Sequence, residues 1–222
     1  MNDPGLNQLL KWGVENSTTS QSDQTSAPST ANRNLNPDAL AALFGGPSDA
    51  DLMRESMAVI TSPDPAATLD NKLIAFDNFE QLLESVDNAN NLEPLGLWTP
   101  LVGQLESPEA DCRRFAAWCV GTAVQNNVKA QERLLALNAI PTLATLALTD
   151  PVETVRRKAV YALSSATRNY QPALDSAVTH LPTDIVGEAK ADAGDMENVD
   201  GIMQRLRDRS AKRETEGVEN LY

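Results

Sequence analysis

The sequence of 222 residues has little of the chemistry on which enzymes and metal sites depend. It contains one histidine, His180, and two cysteines, Cys112 and Cys119, and these three are not set at the spacing of metal ligands. The glycines of residues 45–47 lack the lysine and the flanking strand of a phosphate-binding loop. We therefore expect a protein that is not an enzyme and that holds no cofactor and no metal.

Long apolar runs are also missing. No stretch approaches the roughly 20 apolar residues of a membrane span, and no basic region followed by an apolar run, typical of a secretory signal, opens the sequence. If Cys112 and Cys119 share one helix, they lie about 10 Å apart along its axis, beyond the roughly 7 Å that a disulfide allows between Cα atoms. Two small buried thiols fit a reducing cytosol. The expectation of a cytoplasmic location rests on the missing signals and on the resemblance given below.

Positive charge is scarce as well. The chain has 18 Lys and Arg against 31 Asp and Glu, which gives a formal net charge of −13. Such a charge repels phosphates, so neither nucleic acid nor an anionic membrane is expected as a partner. Hydrophobic residues still make up 41% of the chain, enough to build a core. Another protein is the class of partner that remains.

What is present divides by composition into four parts. Residues 1–15 form a short apolar segment at helical spacing, with Leu6, Leu9, Leu10 and Trp12 as its members. Residues 16–35 consist mainly of Ser, Thr, Asn, Gln and Pro and predict a disordered linker. Residues 36–182 show helical periodicity, with Pro and Gly only at plausible turns. Residues 183–222 are predicted to form an acidic tail with a short C-terminal helix.

An internal repeat organises the third part. Residues 107–114 and 150–157, which lie 43 residues apart, both open with a capping residue and a proline and lead through paired arginines into a long helix. An earlier helix joins at an offset of 37 residues, which sets Asn90 over Asn127. Long helices that alternate with short ones at this period are typical of armadillo or HEAT solenoids. The sequence therefore predicts an all-α, armadillo-type solenoid of about three repeats, with a monomer as the default state.

Each long helix has one face toward its neighbours and one that they leave open. The inward face is predicted to hold Phe79, Leu82, Leu83, Cys119, Val120, Ala123, Ala162, Leu163 and Ala166. The open face is predicted to hold Gln81, Ser85, Asn88, Ala89, Trp118, Thr122, Gln125, Asn126, Tyr161, Ser165, Arg168 and Asn169. We interpret this open face as a concave protein-binding groove, where aromatic residues supply area and amides supply hydrogen bonds. The alternatives are that Trp118 and Tyr161 are ordinary core residues and that the asparagines bond between repeats.

The repeat segments also carry a family likeness. Residues 71–91, 121–127 and 158–165 closely resemble the fungal Fes-type nucleotide exchange factors of DnaK-class heat-shock chaperones, which are relatives of the animal Hsp-binding proteins. Residues 9–12 and 43–47 are similar to the same family. The resemblance implies an armadillo-type domain that grips one lobe of the chaperone's nucleotide-binding domain. By opening the nucleotide cleft it would let ADP leave, and so assist protein folding and client release.

The resemblance also assigns sites. The family's contact segment is carried over onto Asp87, Asn88, Ala89, Asn90 and Asn91. The repeat register, rather than the family, adds their equivalents Gln125, Asn126, Asn127, Arg168 and Asn169. Members of the family are thought to imitate a client with their N-termini, which assigns this role to Leu6, Leu9, Leu10 and Trp12, with the chaperone's substrate-binding domain as their target. The alternative is that this segment docks on the repeats as an extra helix.

A different class of function fits the same fold. The armadillo grooves of nuclear import receptors also use tryptophan and asparagine, and an acidic groove would suit basic peptides. A groove of about three repeats is short for that task, and the N-terminal segment here is not basic. A peptide-binding scaffold, or a structural adaptor, is therefore the alternative to an exchange factor.

Overall fold

The computed structural model describes residues 47–188 and 190–219, with side chains up to residue 211. The helices in this part of the chain are α1 (Asp49–Ile60), α2 (Leu69–Leu83), α3 (Val86–Asn91), α4 (Trp98–Gly103), α5 (Ala110–Val124), α6 (Val128–Ala136), α7 (Ala139–Thr149), α8 (Glu153–Thr167), α9 (Gln171–Val178), α10 (Thr183–Val186) and α11 (Met196–Glu219). A 3₁₀ turn, Gln104–Glu106, links α4 to α5. No strand occurs among the described residues, and the prediction of an all-α fold is confirmed.

The long helices α2, α5 and α8 form the spine of the stack, with α5 packed between the other two. α5 and α8 are each 15 residues long and begin 43 residues apart, which confirms the predicted register between them. α2 and α5 begin 41 residues apart, at Leu69 and Ala110, so the predicted offset of 37 is wrong for this pair. The predicted offset set Asn90 over Asn127, but Asn90 lies within α3 whereas Asn127 is the N-cap of α6, so the two positions are not equivalent.

Polar residues fix where these helices begin and turn. Thr68 Oγ1 accepts a hydrogen bond from the backbone N–H of Asn71 at 3.3 Å and caps α2. Asn126 and Asn169 follow α5 and α8 at matching positions, with φ of 52° and 56°. Asparagine tolerates this left-handed backbone better than most residues. The chain therefore turns at these two positions into the short helices α6 and α9.

Arginines at equivalent positions of two repeats form hydrogen bonds at the joints of the stack. Arg113 Nη1 donates to the carbonyl oxygen of Ser107 at 2.8 Å, and its Nε donates to Asp150 Oδ2 in the following repeat at 2.7 Å. Arg156 repeats the pattern 43 residues further on, because its Nη1 donates to the carbonyl oxygen of Asp150 at 2.8 Å. The proline and paired arginines seen in the sequence therefore mark a joint between repeats.

The core lies between the stacked helices. Of the nine residues predicted to face inward, eight are buried and Leu82 is partly buried. Full burial of a leucine or valine side chain contributes roughly 1.5–3 kcal/mol to folding. Cys112 and Cys119 are free thiols within this core, and burial raises the pKa of both above the usual value. The expectation that both cysteines are small buried side chains is confirmed.

α11 closes the C-terminal side of the stack. It packs on α8 and α10 and runs antiparallel to α8. Arg156, near the start of α8, donates from Nε to the carbonyl oxygen of Ser210, late in α11, at 2.8 Å. Arg168, just after the end of α8, is ion-paired with Asp200 in the first half of α11. The stack therefore ends in a reversed helix rather than in another parallel one.

The length of α11 differs from the prediction. It has 24 residues, whereas the sequence predicts a short C-terminal helix. Four apolar side chains at helical spacing, Val199, Ile202, Met203 and Leu206, are fully buried. Glu, Lys and Arg, which are good helix formers, are frequent after them. Docking of the apolar stripe fixes the helix, and helix propensity extends it beyond the stripe.

Candidate functional site

A depression of about 520 Å³ lies on one side of the stack, above α5. Six of the predicted site residues line it, namely Ala89, Trp118, Thr122, Gln125, Asn126 and Tyr161. The other lining residues are Glu80, Leu83, Glu84, Val86 and Ala123. We call this surface the central depression. It collects side chains from α2, α3, α5 and α8, so its shape depends on how successive repeats stack.

Two aromatic side chains from neighbouring repeats form one wall of the central depression. The ring of Trp118 lies nearly parallel to that of Phe115, with 5.8 Å between centroids and 20° between planes. The ammonium of Lys158 lies 3.4 Å from the centroid of Trp118 and 5.5 Å from that of Tyr161. Trp118 and Tyr161 are both partly exposed. They are therefore not ordinary core residues, although Trp118 packs against the core from outside.

Tyr161 is held against α5 by a close fit and by its hydroxyl. That hydroxyl lies 3.4 Å from Thr122 Oγ1 and donates to Gln125 Oε1 at 3.3 Å. Gly121 makes the approach possible, since a Cβ at this position would lie only 2.4 Å from Cε1 of Tyr161. The ring thus covers a glycine of the preceding repeat and connects two of the predicted site residues.

A buried acid lies at the floor of the central depression. Glu80 is 5% exposed and its Oε1 accepts a hydrogen bond of 2.6 Å from Thr122 Oγ1. Burial lowers the pKa of Lys158, and the negative charge of Glu80 opposes that shift. Glu84 adds a second carboxylate, exposed at the rim. The site therefore combines an internal pair of opposite charges with an acidic edge.

Glu80, Glu84 and Lys158 were not among the predicted site residues. Acidic residues in an amphipathic helix most often lie on a solvated face, and helical spacing alone did not set these apart. One signal was available for Glu80. It lies between Phe79 and Leu83 on the inward face of α2, where an acid needs a partner.

The segment 87–91 lies on α3 and is divided between surface and core. Asp87 is exposed, and Asn90 and Asn91 are partly exposed. Asn88 is buried, and its Nδ2 donates to Asp49 Oδ2 at 2.8 Å and to a backbone carbonyl of α2. Ala89 is 2% exposed. Asn88 therefore does not belong to an open line of contact residues, and Ala89 reaches the central depression with almost none of its surface exposed, because the break after α2 turns this part of α3 inward.

The remaining predicted residues hold the repeats together. Asn127 is buried, caps α6 by accepting from Ala130 N and donates to Asn90 Oδ1 at 3.2 Å. Ser165 is buried, and its carbonyl accepts from Gln131 Nε2 at 2.9 Å. These contacts agree with the alternative that asparagines bond between repeats, at least for Asn127. The expectation of an open position is corrected for both residues.

Arg168 and Asn169 both contact the C-terminal part of the chain, although Asn169 itself stays exposed. Arg168 is ion-paired with Asp200 and donates to Ser164 Oγ at 3.2 Å. The backbone N–H of Asn169 donates to the carbonyl oxygen of Ala193 at 2.9 Å. Neither residue lines the central depression. Their side of the stack is engaged by α11 and the segment before it.

Other features of the described residues bear on function. Among them, no group of three or more His, Cys, Asp or Glu side chains is placed to hold a metal ion. None of the helices in this part of the chain is long and apolar enough to cross a membrane. The N-terminal segment with Leu6, Leu9, Leu10 and Trp12 lies outside the described residues.

Solved structures share this fold at low sequence identity. An engineered protein from the Northeast Structural Genomics Consortium matches with a TM-score of 0.52 and 18% identity, over 78% of this chain and 71% of that one. A designed armadillo repeat protein in complex with the peptide (KR)4 matches with a TM-score of 0.50 and 16% identity, over 71% and 70%. The molecule is an armadillo-type helical-repeat protein, as the sequence predicted.

Sequence comparison gives the family. The model of nucleotide exchange factor Fes1 matches residues 6–92, and that of the SIL1/FES1/HPBP1 C-terminal domain matches residues 88–188. The Hsp70 nucleotide exchange factor FES1 of Gibberella zeae is 54% identical over 96% of this chain and 100% of its own length. Its counterpart in Coccidioides immitis is also 54% identical, over 93% and 98%. The chain belongs to the family of Hsp70 nucleotide exchange factors of the FES1 type.

Proposed function

We propose that the protein binds the nucleotide-binding domain of a DnaK-class chaperone through the central depression and accelerates the release of ADP. The observation that carries this proposal is the wall formed by Trp118 and Tyr161, because aromatic side chains on rigid elements are preferred anchors of protein interfaces. Membership of the exchange-factor family supports the same partner. The surrounding hydroxyl, amides and acids offer hydrogen bonds at the rim of such an interface.

Thermodynamic linkage supplies the mechanism. A partner that binds the open form of the nucleotide cleft more tightly weakens ADP binding by the factor by which ADP weakens the partner. The stack suits this role because hydrogen-bonded joints, such as that between Arg113 and Asp150, resist bending. A surface that is already ordered loses little conformational entropy on binding. The protein would then act through binding energy alone, with no group transferred.

Release of a fluorescent ADP from a purified chaperone tests the proposal. Substoichiometric amounts of the protein should accelerate the loss of fluorescence, since each copy can act on many chaperones. Trp118→Ala should lose most of this effect, whereas Val152→Ala, an exposed apolar position away from the central depression, should keep it. No acceleration by folded wild-type protein at micromolar concentration would end the proposal.

A second candidate is a peptide-binding scaffold or adaptor. The observation in its favour is an aromatic and amide surface with an acidic rim on an armadillo stack. The designed protein of similar fold is described in complex with the peptide (KR)4. Binding of a labelled basic peptide to this chain, measured without a chaperone, distinguishes the two candidates.

We also propose a role for the N-terminal segment. Leu6, Leu9, Leu10 and Trp12, with one basic residue, Lys11, make a leucine-rich string of the kind that DnaK-class chaperones bind. A tether raises the local concentration of such a string to about the millimolar range, so that even a weak site is filled. The segment would occupy the substrate-binding domain while the repeats hold the nucleotide-binding domain. We place this activity in the cytoplasm, in a monomeric protein.

A further inference from the structure

Lys158 occupies an unusual position beside the central depression. Its ammonium lies 3.4 Å from the centroid of Trp118, so it is seated over the ring face, and it approaches Tyr161 as well. None of the ion pairs among the described residues includes Lys158. The side chain is half-buried and does not line the central depression itself. The protein thus holds one of its own cations against the ring that a partner would contact.

This arrangement changes what Trp118 can bind. The face of an indole ring attracts a cation through its quadrupole, and a cation already seated there uses that attraction. Phe115 also stacks against this ring, with 5.8 Å between the centroids, so part of the ring surface is already covered. A lysine or arginine from a partner would also be repelled by the ammonium of Lys158 at short range. The part of Trp118 that stays exposed can still contact neutral groups.

The acidic residues nearby do not restore an attraction for basic side chains. Glu80 is buried, accepts a hydrogen bond from Thr122 and faces the charge of Lys158. The guanidinium of Arg114 lies 4.4 Å from the centroid of Phe115 and is ion-paired with Asp111, so that carboxylate is also occupied. Glu84 is left as the exposed acid at the rim. The negative net charge of the whole chain therefore does not predict the local charge beside Trp118 and Tyr161.

We propose that Lys158 is a built-in ligand of Trp118 that sets the specificity of the central depression. It excludes lysine and arginine side chains from the aromatic wall and leaves the wall to neutral partners, namely apolar side chains and hydrogen-bond acceptors. The inference deepens the proposed function, because it states what the chaperone surface must present, and it rests on that function only for the identity of the partner. It also separates this protein from armadillo scaffolds that take basic peptides.

The test uses an octapeptide of alternating lysine and arginine, labelled with fluorescein, and measures its affinity by anisotropy. The wild-type protein and Lys158→Arg should bind it weakly. Lys158→Met keeps most of the length of the side chain and removes the positive charge from the ring, and it should bind the peptide about tenfold more tightly. Lys129→Met removes an equal charge from an exposed site outside the central depression and should change the affinity much less.

Two results would overturn the proposal. Equal gains in Lys158→Met and Lys129→Met would show a general effect of charge. Persistence of the gain in the double variant Trp118→Ala/Lys158→Met would show that the ring is not involved. Circular dichroism melts establish that each variant is folded.

A measurement on the wild-type protein keeps the test independent of variant stability. The three tryptophans are labelled with 5-fluorotryptophan, and the signal of Trp118 is assigned from the spectrum of Trp118→Phe. Addition of the basic octapeptide should leave this ¹⁹F signal in place, and a saturable shift would overturn the proposal. ADP release is followed separately. If exchange activity is absent but the peptide affinities are as expected, the proposed function fails, whereas the proposal that Lys158 excludes basic side chains stands.

Discussion

Tyr161 can lie against α5 because residue 121 has no side chain. The glycine belongs to one repeat and the tyrosine to the next, so the contact depends on the register between them. A single methyl group is enough to disturb it. The position of the aromatic wall is therefore set by the smallest residue near it as well as by the largest.

We expect Gly121→Ala to move Tyr161 and to weaken both folding and binding. Alanine is favoured over glycine in a helix by about 1 kcal/mol, whereas overpacking costs about 1–3 kcal/mol. The expected net loss is about 1 kcal/mol in urea denaturation, with slower ADP release. Gly103→Ala is the matched control, because its added Cβ meets no atom within 4 Å. If both variants are equally stable and active, the fit at Gly121 has no influence.

Substitution by arginine should leave the stability of the protein nearly unchanged at Gln125 but lower it strongly at Ala89. Gln125 is exposed in the central depression, so Gln125→Arg should change the free energy of unfolding by less than about 0.5 kcal/mol and still abolish ADP release. Ala89 is 2% exposed, and Ala89→Arg would force a charge into the core and unfold the protein at markedly lower urea. Chemical denaturation of both variants, followed by exchange assays, checks the assignment. A stable Ala89→Arg protein would contradict the burial of Ala89.

At the level of helices, Asp150 connects two repeats. Its carboxylate accepts from Arg113 Nε at 2.7 Å and from the backbone N–H of Val152 at 2.9 Å, and it is almost fully buried. Asp150→Asn would leave the guanidinium of Arg113 without its counter-charge. Breaking a buried pair in this way costs about 3–5 kcal/mol, and we expect about 3 kcal/mol because the amide keeps part of the hydrogen bonding.

The control for Asp150→Asn is Asp111→Asn, which breaks the exposed pair between Asp111 and Arg114. Exposed pairs contribute at most about 1 kcal/mol, so this variant should melt near the wild-type temperature. Thermal unfolding of the two proteins provides the comparison. Equal losses would show that the joint between repeats does not depend on the buried carboxylate.

Much of the fold could be predicted from sequence because its joints repeat. The proline and paired arginines recur 43 residues apart, and the helices that follow them have the same length. The earlier offset failed because it matched Asn90, which lies within α3, with Asn127, which caps α6, and no proline or glycine marks the break between Leu83 and Val86. A helical pattern can continue across such a break, and residues beyond it are then assigned to the wrong face. Asn88 and Ala89 were misplaced for this reason.

The candidate site was less predictable than the fold. Trp118, Thr122 and Tyr161 could be found by spacing, because each lies on the open face of a long helix. The roles of Glu80 and Lys158 depend on partners in other repeats. Periodicity within one helix carries no information about such partners. Buried charges in repeat proteins therefore have to be located from the stacking of the repeats.

For the whole molecule, we expect the N-terminal segment and the repeats to perform separable tasks. Deleting residues 1–34 should leave ADP release nearly unchanged but slow the release of a bound peptide client, measured by fluorescence anisotropy. Replacing Leu6, Leu9, Leu10 and Trp12 by serine in the full chain is the control, since it keeps the length of the linker. Parallel loss of exchange activity would mean that the segment supports the fold of the repeats instead.

The reversed direction of α11 has a consequence for how such a chain can change length. A parallel stack grows by copying one more repeat onto its last surface, and tandem duplication is the simplest genetic route to that end. Here the last surface already holds an antiparallel helix, whose Ser210 carbonyl is bonded to the buried Arg156. A duplicated repeat would have to displace that helix before it could dock. Growth of the stack beyond α8 would therefore require displacement of α11 rather than simple addition of a repeat.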